Sequence, residues 1–150
     1  MPAPHASERL RSIVDWFETL SPSSLAQLPT YYSDDAYFKD PFNEVRGTAA
    51  ITRVFAHMFA TLDEPRFVVS ECVEQAHGVM LLWTFHFRAR GRGRGRSQAW
   101  RIHGASHLKL NANAQVCWHR DYWDAAEELY AKLPLLGAVI RGIGRRLQAS

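Results

Sequence analysis

The chain has 150 residues, 47% of them hydrophobic and 22% charged, which is the size and composition of one globular domain and excludes a disordered or fibrous chain. A chain of this length buries roughly 68–70% of its unfolded surface, so its core needs neither a disulfide nor a metal. The net charge of +3 is local in origin: Arg88, Arg90, Arg92, Arg94 and Arg96 supply five positive charges, and without them the balance is −2, which excludes a uniformly basic surface.

The first residues, Met-Pro-Ala-Pro-His-Ala-Ser, lack the basic and apolar regions of a signal peptide. Ser7 is a plausible N-cap with Glu8 in the first turn. Leu10, Ile13, Val14, Phe17 and Leu20 then recur at helical spacing, predicting an amphipathic helix over 8–20. Ser21-Pro22-Ser23-Ser24 breaks it. A short second helix is predicted over 23–28, ended by Pro29, followed by an extended run from Tyr31 to Phe42. Residues 48–62 predict a third helix with Ile51, Val54, Phe55, Met58, Phe59 and Leu62 on one face.

Beyond Pro65 the pattern becomes that of strands, over 66–75, 78–90, 98–110 and 115–124. Arg90 to Ser97 reads as a Gly-rich turn and Asn111-Ala-Asn-Ala114 as another. Residues 124–133 and 135–147 return to helix. Asp124, directly before Ala-Ala-Glu-Glu, is the expected cap. The chain is therefore read as one α+β domain, 1–150, with a core of about 7–130 and a helical extension of about 131–147. Cys72 and Cys117 lie in separate strands without metal or redox spacing, as two free thiols of a reducing compartment would. No apolar run approaches the roughly 20 residues that span a bilayer, and a cytoplasmic protein is expected.

The most informative stretch is Asp34-Asp-Ala-Tyr-Phe-Lys-Asp40-Pro41-Phe42-Asn-Glu-Val-Arg-Gly47-Thr48. Pro41 keeps Asp40 extended. A carboxylate among Tyr37, Phe38 and Phe42 suits a general base.

This motif, the element order and His119-Arg-Asp-Tyr-Trp-Asp124 together resemble the nuclear transport factor two-like superfamily, which includes ketosteroid isomerases, SnoaL-like polyketide cyclases and limonene epoxide hydrolases. The resemblance implies a cone-shaped (cystatin-like) α+β fold. In it a curved antiparallel sheet wraps three N-terminal helices around a deep apolar pocket, with a helical tail after the core. It places Asp40 where the isomerases carry their general-base Asp. Trp16 stands at their Tyr position and Ser106 at that of their protonated Asp, both as weaker donors toward an oxyanion. Asp121 falls where the hydrolases carry an acid/base Asp, and their Arg-x-Asp appears here as Thr84-Phe85-His86.

Pairing with that family and strand alternation sort the faces. Trp100, Ile102, Gly104, Ser106 and Leu108 are expected inward, with His119, Asp121 and Trp123. Met80, Leu82, Thr84 and His86 are expected inward on the long strand, leaving Val79, Leu81, Trp83, Phe85 and Phe87 on an apolar outer face. The expected catalytic set is Asp40, Asp121, His86 and His119. The expected ligand-binding set is Trp16, Phe38, Phe55, Met58, Met80, Leu82, Trp100, Ser106 and Trp123. Two His and two carboxylates suit Zn or Fe, but they come from separate strands without a local motif, and no metal is expected. Each residue also has a plainer role open to it, such as core aromatic, satisfied histidine or structural ion pair.

The resulting expectation is a cofactor-free acid–base isomerase, cyclase or hydrolase acting on a hydrophobic small molecule. The alternatives are a non-catalytic module binding an apolar ligand and a protein-interaction domain using the sheet face and tail. A homodimer through the apolar outer face is expected. The short Gly91-Arg-Gly-Arg-Gly-Arg96 run lacks interleaved aromatics, and nucleic acid is not expected as a partner. Leu136, Val139, Ile140, Ile143 and Leu147 form a stripe in the tail. Packing against the domain or a dimer partner is its expected fate, and an anionic membrane surface the alternative.

Overall fold

The computed structural model describes residues 7–89, 98–130 and 134–148. Its first helix, α1 (Glu8–Glu18), starts at the predicted cap: Ser7 Oγ accepts from the Leu10 N–H at 3.2 Å. The stripe Leu10, Ile13, Val14 and Phe17 is buried, and each such side chain taken from water contributes roughly 1.5–3 kcal/mol. A 3₁₀ turn (Ser23–Gln27) leads into α2 (Leu28–Tyr31). Pro29 does not end that helix but opens it, because proline fits the first turn, where its missing N–H has no acceptor to lose. The helix α3 (Thr48–Thr61) starts after Gly47, whose φ of 92° is open to glycine and strained for other residues.

Six strands form one sheet: β1 (Tyr32–Lys39), β2 (Glu44–Arg46), β3 (Leu62–Gln75), β4 (Gly78–Ala89), β5 (Gln98–Leu110) and β6 (Val116–Tyr122). Their spatial order is β2-β1-β6-β5-β4-β3. The meander β3–β6 is antiparallel as expected, and β1 closes on β6 in parallel, pairing Phe38 with His119 and Lys39 with Arg120. Two register shifts bend β3, one of them around Glu64, which has φ 52° just before Pro65. The sheet curves around α1 and α3, and the buried residues Leu10, Ile13, Tyr32, Phe38, Ile51, Phe55, Leu81 and Leu108 lie between them.

After β6, Asp124 caps α4 (Ala125–Glu128) through its side chain, as expected, but the helix ends at Glu128 instead of running to 133. The final helix, α5, spans Pro134–Leu147. Its apolar side chains Leu135, Leu136, Val139, Ile143 and Leu147 are exposed, so the tail does not pack its stripe on the domain. The Arg/Gly turn 90–97 lies outside the described residues. No described helix is long and apolar enough to cross a membrane.

One expectation about the sheet is overturned. In β4 the pairs are Leu81 with Ser106, Trp83 with Gly104, Phe85 with Ile102 and Phe87 with Trp100. Directly opposed residues share a face, so these aromatics face inward with Ser106. Met80, Leu82, Thr84 and His86 lie on the outer face, because a shift of one residue reverses every side chain of a strand. The outer face therefore carries Arg101, His103, Ala105 and His107 opposite them, not a sheet of aromatics. The apolar surface that suggested a homodimer is inside the cone.

Candidate functional site

The inward face of the sheet and α3 enclose a cavity of about 430 Å³. Its wall is aromatic and aliphatic, with Phe38, Phe55, Phe67, Phe85, Phe87 and Trp100 prominent, and its polar members include Asp40 and Asp121. Deeper in, a chamber of about 20 Å³ shares Phe55, Phe67, Trp83 and Asp121 with it and adds Ser106 and His119. A space of that size accommodates one water molecule. Asp121 is thus common to both spaces.

Four side chains from four strands converge on Asp121 by hydrogen bonds. Trp83 Nε1 donates to Ser106 Oγ at 2.8 Å, and Ser106 donates to Asp121 Oδ1 at 2.5 Å. His119 Nε2 lies 2.6 Å from the same Oδ1, and Tyr32 Oη lies 2.7 Å from His119 Nδ1. One proton assignment lets each of these donors meet an acceptor. Tyr32 O–H gives to Nδ1, Nε2–H and Ser106 O–H give to an ionised Asp121, and the indole N–H gives to Ser106. Asp121 Oδ2 has no hydrogen-bond partner among the described residues. The carboxylate is therefore held firmly by one oxygen at the edge of an apolar cavity and left open at the other.

Burial holds the Tyr32 hydroxyl well above its ordinary pKa, and the Asp121 carboxylate pushes it further in the same direction. Tyr32 stays a donor to His119 through the whole physiological range. A raised value means that the stabilisation is complete below the unfolded pKa of about 10 and is lost as pH climbs through the folded value. Tyr32→Phe, which strands Nδ1, is expected to cost roughly 1–3 kcal/mol near pH 8. Chemical denaturation at pH 8 and at about pH 11 checks this: the gap between the variant and the wild type closes at the alkaline end, and a gap independent of pH would refute the role given to the hydroxyl.

Of the expected site residues, the structure brings Asp40, Phe38, Phe55, Met58, Trp100, Asp121 and Trp123 to the cavity, and Ser106 and His119 to the inner chamber. Asp40 is already engaged in a turn. Its Oδ1 accepts from the Phe42 N–H (2.7 Å), the Asn43 N–H (2.6 Å) and Asn43 Nδ2 (3.1 Å), and its Oδ2 from Asn43 Nδ2 (3.0 Å). These bonds fix the Asp-Pro-Phe-Asn turn between β1 and β2.

Trp16 is corrected. It is buried, but its N–H donates to the Ser24 carbonyl at 3.2 Å and its ring stacks on Tyr31, so it offers nothing to the cavity. Ser106 is corrected as an oxyanion donor, since its proton goes to Asp121. Met80, Leu82 and His86 are corrected as pocket residues by the β4 register. On the outer face His86 is made harder to protonate, first by partial burial and then by the cations Arg66 and Arg101. No group of three or more His, Cys, Asp or Glu side chains suited to a metal ion occurs among the described residues.

Tyr32 and Trp83 were not foreseen as site residues. For Trp83 the nearly unbroken apolar run of β4 gives no alternation to fix its face, and only the pairing with β5 does so. For Tyr32 no local signal existed, because its partner stands 87 positions along the chain.

The sequence matches the model of the SnoaL-like domain over residues 13–119. No protein among those with curated functions matches it. Several solved structures share its fold at low identity. A Shewanella putrefaciens CN-32 protein assigned as a SnoaL-like polyketide cyclase is 20% identical, with TM-score 0.68 over 83% of this chain and 98% of its own. A Catenulispora acidiphila DSM 44928 protein with a ketosteroid isomerase-like fold, solved with trimethylamine, is 14% identical, with TM-score 0.69 over 86% of this chain and 95% of its own. An LEH-like epoxide hydrolase from M. tuberculosis is 14% identical, with TM-score 0.67 over 94% of this chain and 99% of its own. The matched residues, more than half of the chain, show that it belongs to the SnoaL-like domain family.

Proposed function

We propose that the chain is a cofactor-free acid–base catalyst for an apolar small molecule, with Asp121 as the group that takes and returns a proton. The observation that carries this reading is the Asp121 carboxylate, fixed through Oδ1 by His119 and Ser106 with Oδ2 uncommitted at the wall of a 430 Å³ apolar cavity. The volume suits a small molecule, and few polar groups in an apolar wall are the usual form of such a site. In the reaction Oδ2 accepts a proton from a carbon beside a carbonyl. The electron pair of the broken C–H bond moves to the carbonyl oxygen as an enolate, and the proton returns to the same or another carbon.

Asp121 serves better than Asp40 because the Asp40 oxygens are taken up by the turn. The site is stronger in base than in electrophile. The Trp83 and Ser106 protons are directed along the chain to Asp121, and the Trp16 proton goes to Ser24. This favours substrates whose C–H bond is already acidified by two carbonyl groups. The fold neighbours described as a SnoaL-like polyketide cyclase and an LEH-like epoxide hydrolase are in keeping with an enzyme on this fold, without choosing a reaction.

The second reading, a module that binds an apolar ligand without turnover, is favoured by the same commitment of the Trp16, Trp83 and Ser106 protons within the protein. Exchange of the C2 proton of a 2-alkyl-β-ketoester in D2O, followed by proton NMR, separates the two. Saturable acceleration that Met58→Trp abolishes by filling the cavity supports catalysis. Binding of the ester that Met58→Trp prevents, with exchange at the buffer rate, supports the binding module. An ester that neither binds nor exchanges faster overturns both for this ligand class.

A further inference from the structure

The outer face of the sheet gathers four basic side chains that the cavity does not use. Arg66 of β3 stands opposite His86 of β4, and His86 stands opposite Arg101 of β5. His103 opposes Thr84 at the next outward pair, with Thr84 Oγ1 3.2 Å from His103 Nδ1. Neighbouring strands run roughly 5 Å apart, so Arg66 and Arg101 flank His86 on both sides. Like charges set directly opposite one another across strands are destabilising. The strain shows at His86, which is harder to protonate than an ordinary imidazole, first through desolvation and then through Arg66, Arg101 and His103.

No carboxylate of the chain relieves that repulsion. The nearest acidic residues of β3 are Asp63, which opposes Arg88, Glu64 in the bulge, and Glu71, which opposes Leu82. Among the described residues neither Arg66 nor Arg101 has a carboxylate within ion-pair distance. Both arginines are exposed, so their long side chains reach over the histidines from either side. A guanidinium presents a planar fork of N–H donors that meets two oxygens of an anion at once, and a protonated imidazole adds a further donor. Cations converging from three strands without a counter-charge fit a compact anion that carries several acceptor oxygens.

We propose that Arg66, His86, Arg101 and His103 form a binding site for a tetrahedral oxyanion, a phosphate or sulfate group. The site lies across the sheet from Asp121, and the proposal is independent of the reaction assigned there. A bound dianion replaces repulsion around His86 with attraction, so the imidazole takes up a proton as the anion binds. Affinity is therefore full below the His86 pKa of the free protein and falls as pH rises through the higher value of the complex. The groups facing His86 are Arg66 from β3, Arg88 from its own strand, and Arg101 and His103 from β5, and the arginines stay charged throughout.

Titration of the full-length protein with sodium sulfate at constant ionic strength, followed through the histidine ring signals by NMR, tests it. Sulfate keeps its charge between about pH 5 and pH 8, so any pH dependence belongs to the protein. Sulfate is expected to move the His86 and His103 signals saturably, to bind more tightly at the acid end, and to raise the titration midpoint of His86. Chloride is expected to do none of this. Replacing both arginines (R66Q and R101Q) is expected to weaken binding about a hundredfold, roughly tenfold for each charged donor lost, and to raise the His86 midpoint without sulfate. Both positions are exposed, so the variant keeps the fold, and unchanged thermal melting confirms that. Absence of a sulfate response at His86 overturns the proposal, as does an equal response to chloride or indifference to the arginine changes. Lys109→Gln removes a cation elsewhere on the same face, and a loss as large as that of R66Q with R101Q assigns the effect to overall charge and overturns the site. Inorganic phosphate and phenyl phosphate, compared at one pH, identify the source of the group. Equal affinity supports a site for the free ion. Tighter binding of phenyl phosphate supports a site for a phosphorylated molecule whose apolar part rests on Val68 and Leu82, each 38% exposed beside the cluster.

Discussion

Replacing Asp121 with Asn is expected to lower the rate of any proton exchange or turnover in the cavity by about 10²–10⁴-fold, the usual contribution of a positioned general base. The substitution is nearly isosteric and keeps an oxygen for Ser106 and His119. It removes only the basic lone pair, so a folded, ligand-binding, slow protein is the predicted result. Steady-state kinetics should place the loss in kcat with KM little changed, because the proton transfer exists in the transition state alone. Asp40→Asn is the control. An amide oxygen can still accept the Phe42 and Asn43 N–H bonds that fix the turn, and the rate should stay within about tenfold of the wild type. A large loss in Asp40→Asn with little in Asp121→Asn would reverse the assignment. Equal indifference of the rate to both changes would remove acid–base catalysis by these carboxylates.

The contrast between a turn-bound Asp40 and a half-open Asp121 marks how far the sequence could be read. Strand and helix periods, the Ser7 and Asp124 caps and the two motifs located the elements within a few residues, since each signal is local, except for β2 and the end of α4. The inward set on β5 also followed correctly, because Arg101, His103 and Lys109 alternate with Trp100, Ile102 and Leu108. On β4 nearly every residue from Val79 to Phe87 is apolar or aromatic, so alternation carries no information and the face was assigned the wrong way. Only the pairing of Leu81 with Ser106 resolves it. The Asp40 motif marks the cavity, but its neighbour Asn43 turns the carboxylate toward the backbone. The chain Tyr32–His119–Asp121–Ser106–Trp83 joins residues spread over 90 positions and leaves no local pattern. Its existence depends on β1 lying parallel to β6, which the sequence did not reveal.

Gly104→Ala is expected to destabilise the protein by roughly 2–4 kcal/mol, about 1–3 from overpacking and about 1 from a buried hydrogen bond. Gly104 opposes Trp83 in the β4–β5 register, and the indole lies across it. A Cβ built there would overlap the far atoms of the six-membered ring, Cη2, Cζ2 and Cζ3. Glycine is needed here for close approach rather than for backbone freedom. The ring must shift to admit the methyl group, and the shift draws Nε1 away from Ser106, 2.8 Å distant. Ser106 in turn helps hold Asp121, so a packing change in mid-strand reaches the site. Thermal unfolding should show a melting point lowered by roughly 4–16 °C, at about 2–4 °C per kcal/mol for a domain of this size. Trp83→Phe removes the ring atoms that the new Cβ would meet. The double variant should therefore be more stable than the sum of the two single changes predicts, by about 1 kcal/mol or more. If the two effects simply add, the contact between ring and strand is not what Gly104 provides. If they couple as expected, the same double variant should still lose activity, because phenylalanine restores the packing but gives Ser106 no N–H.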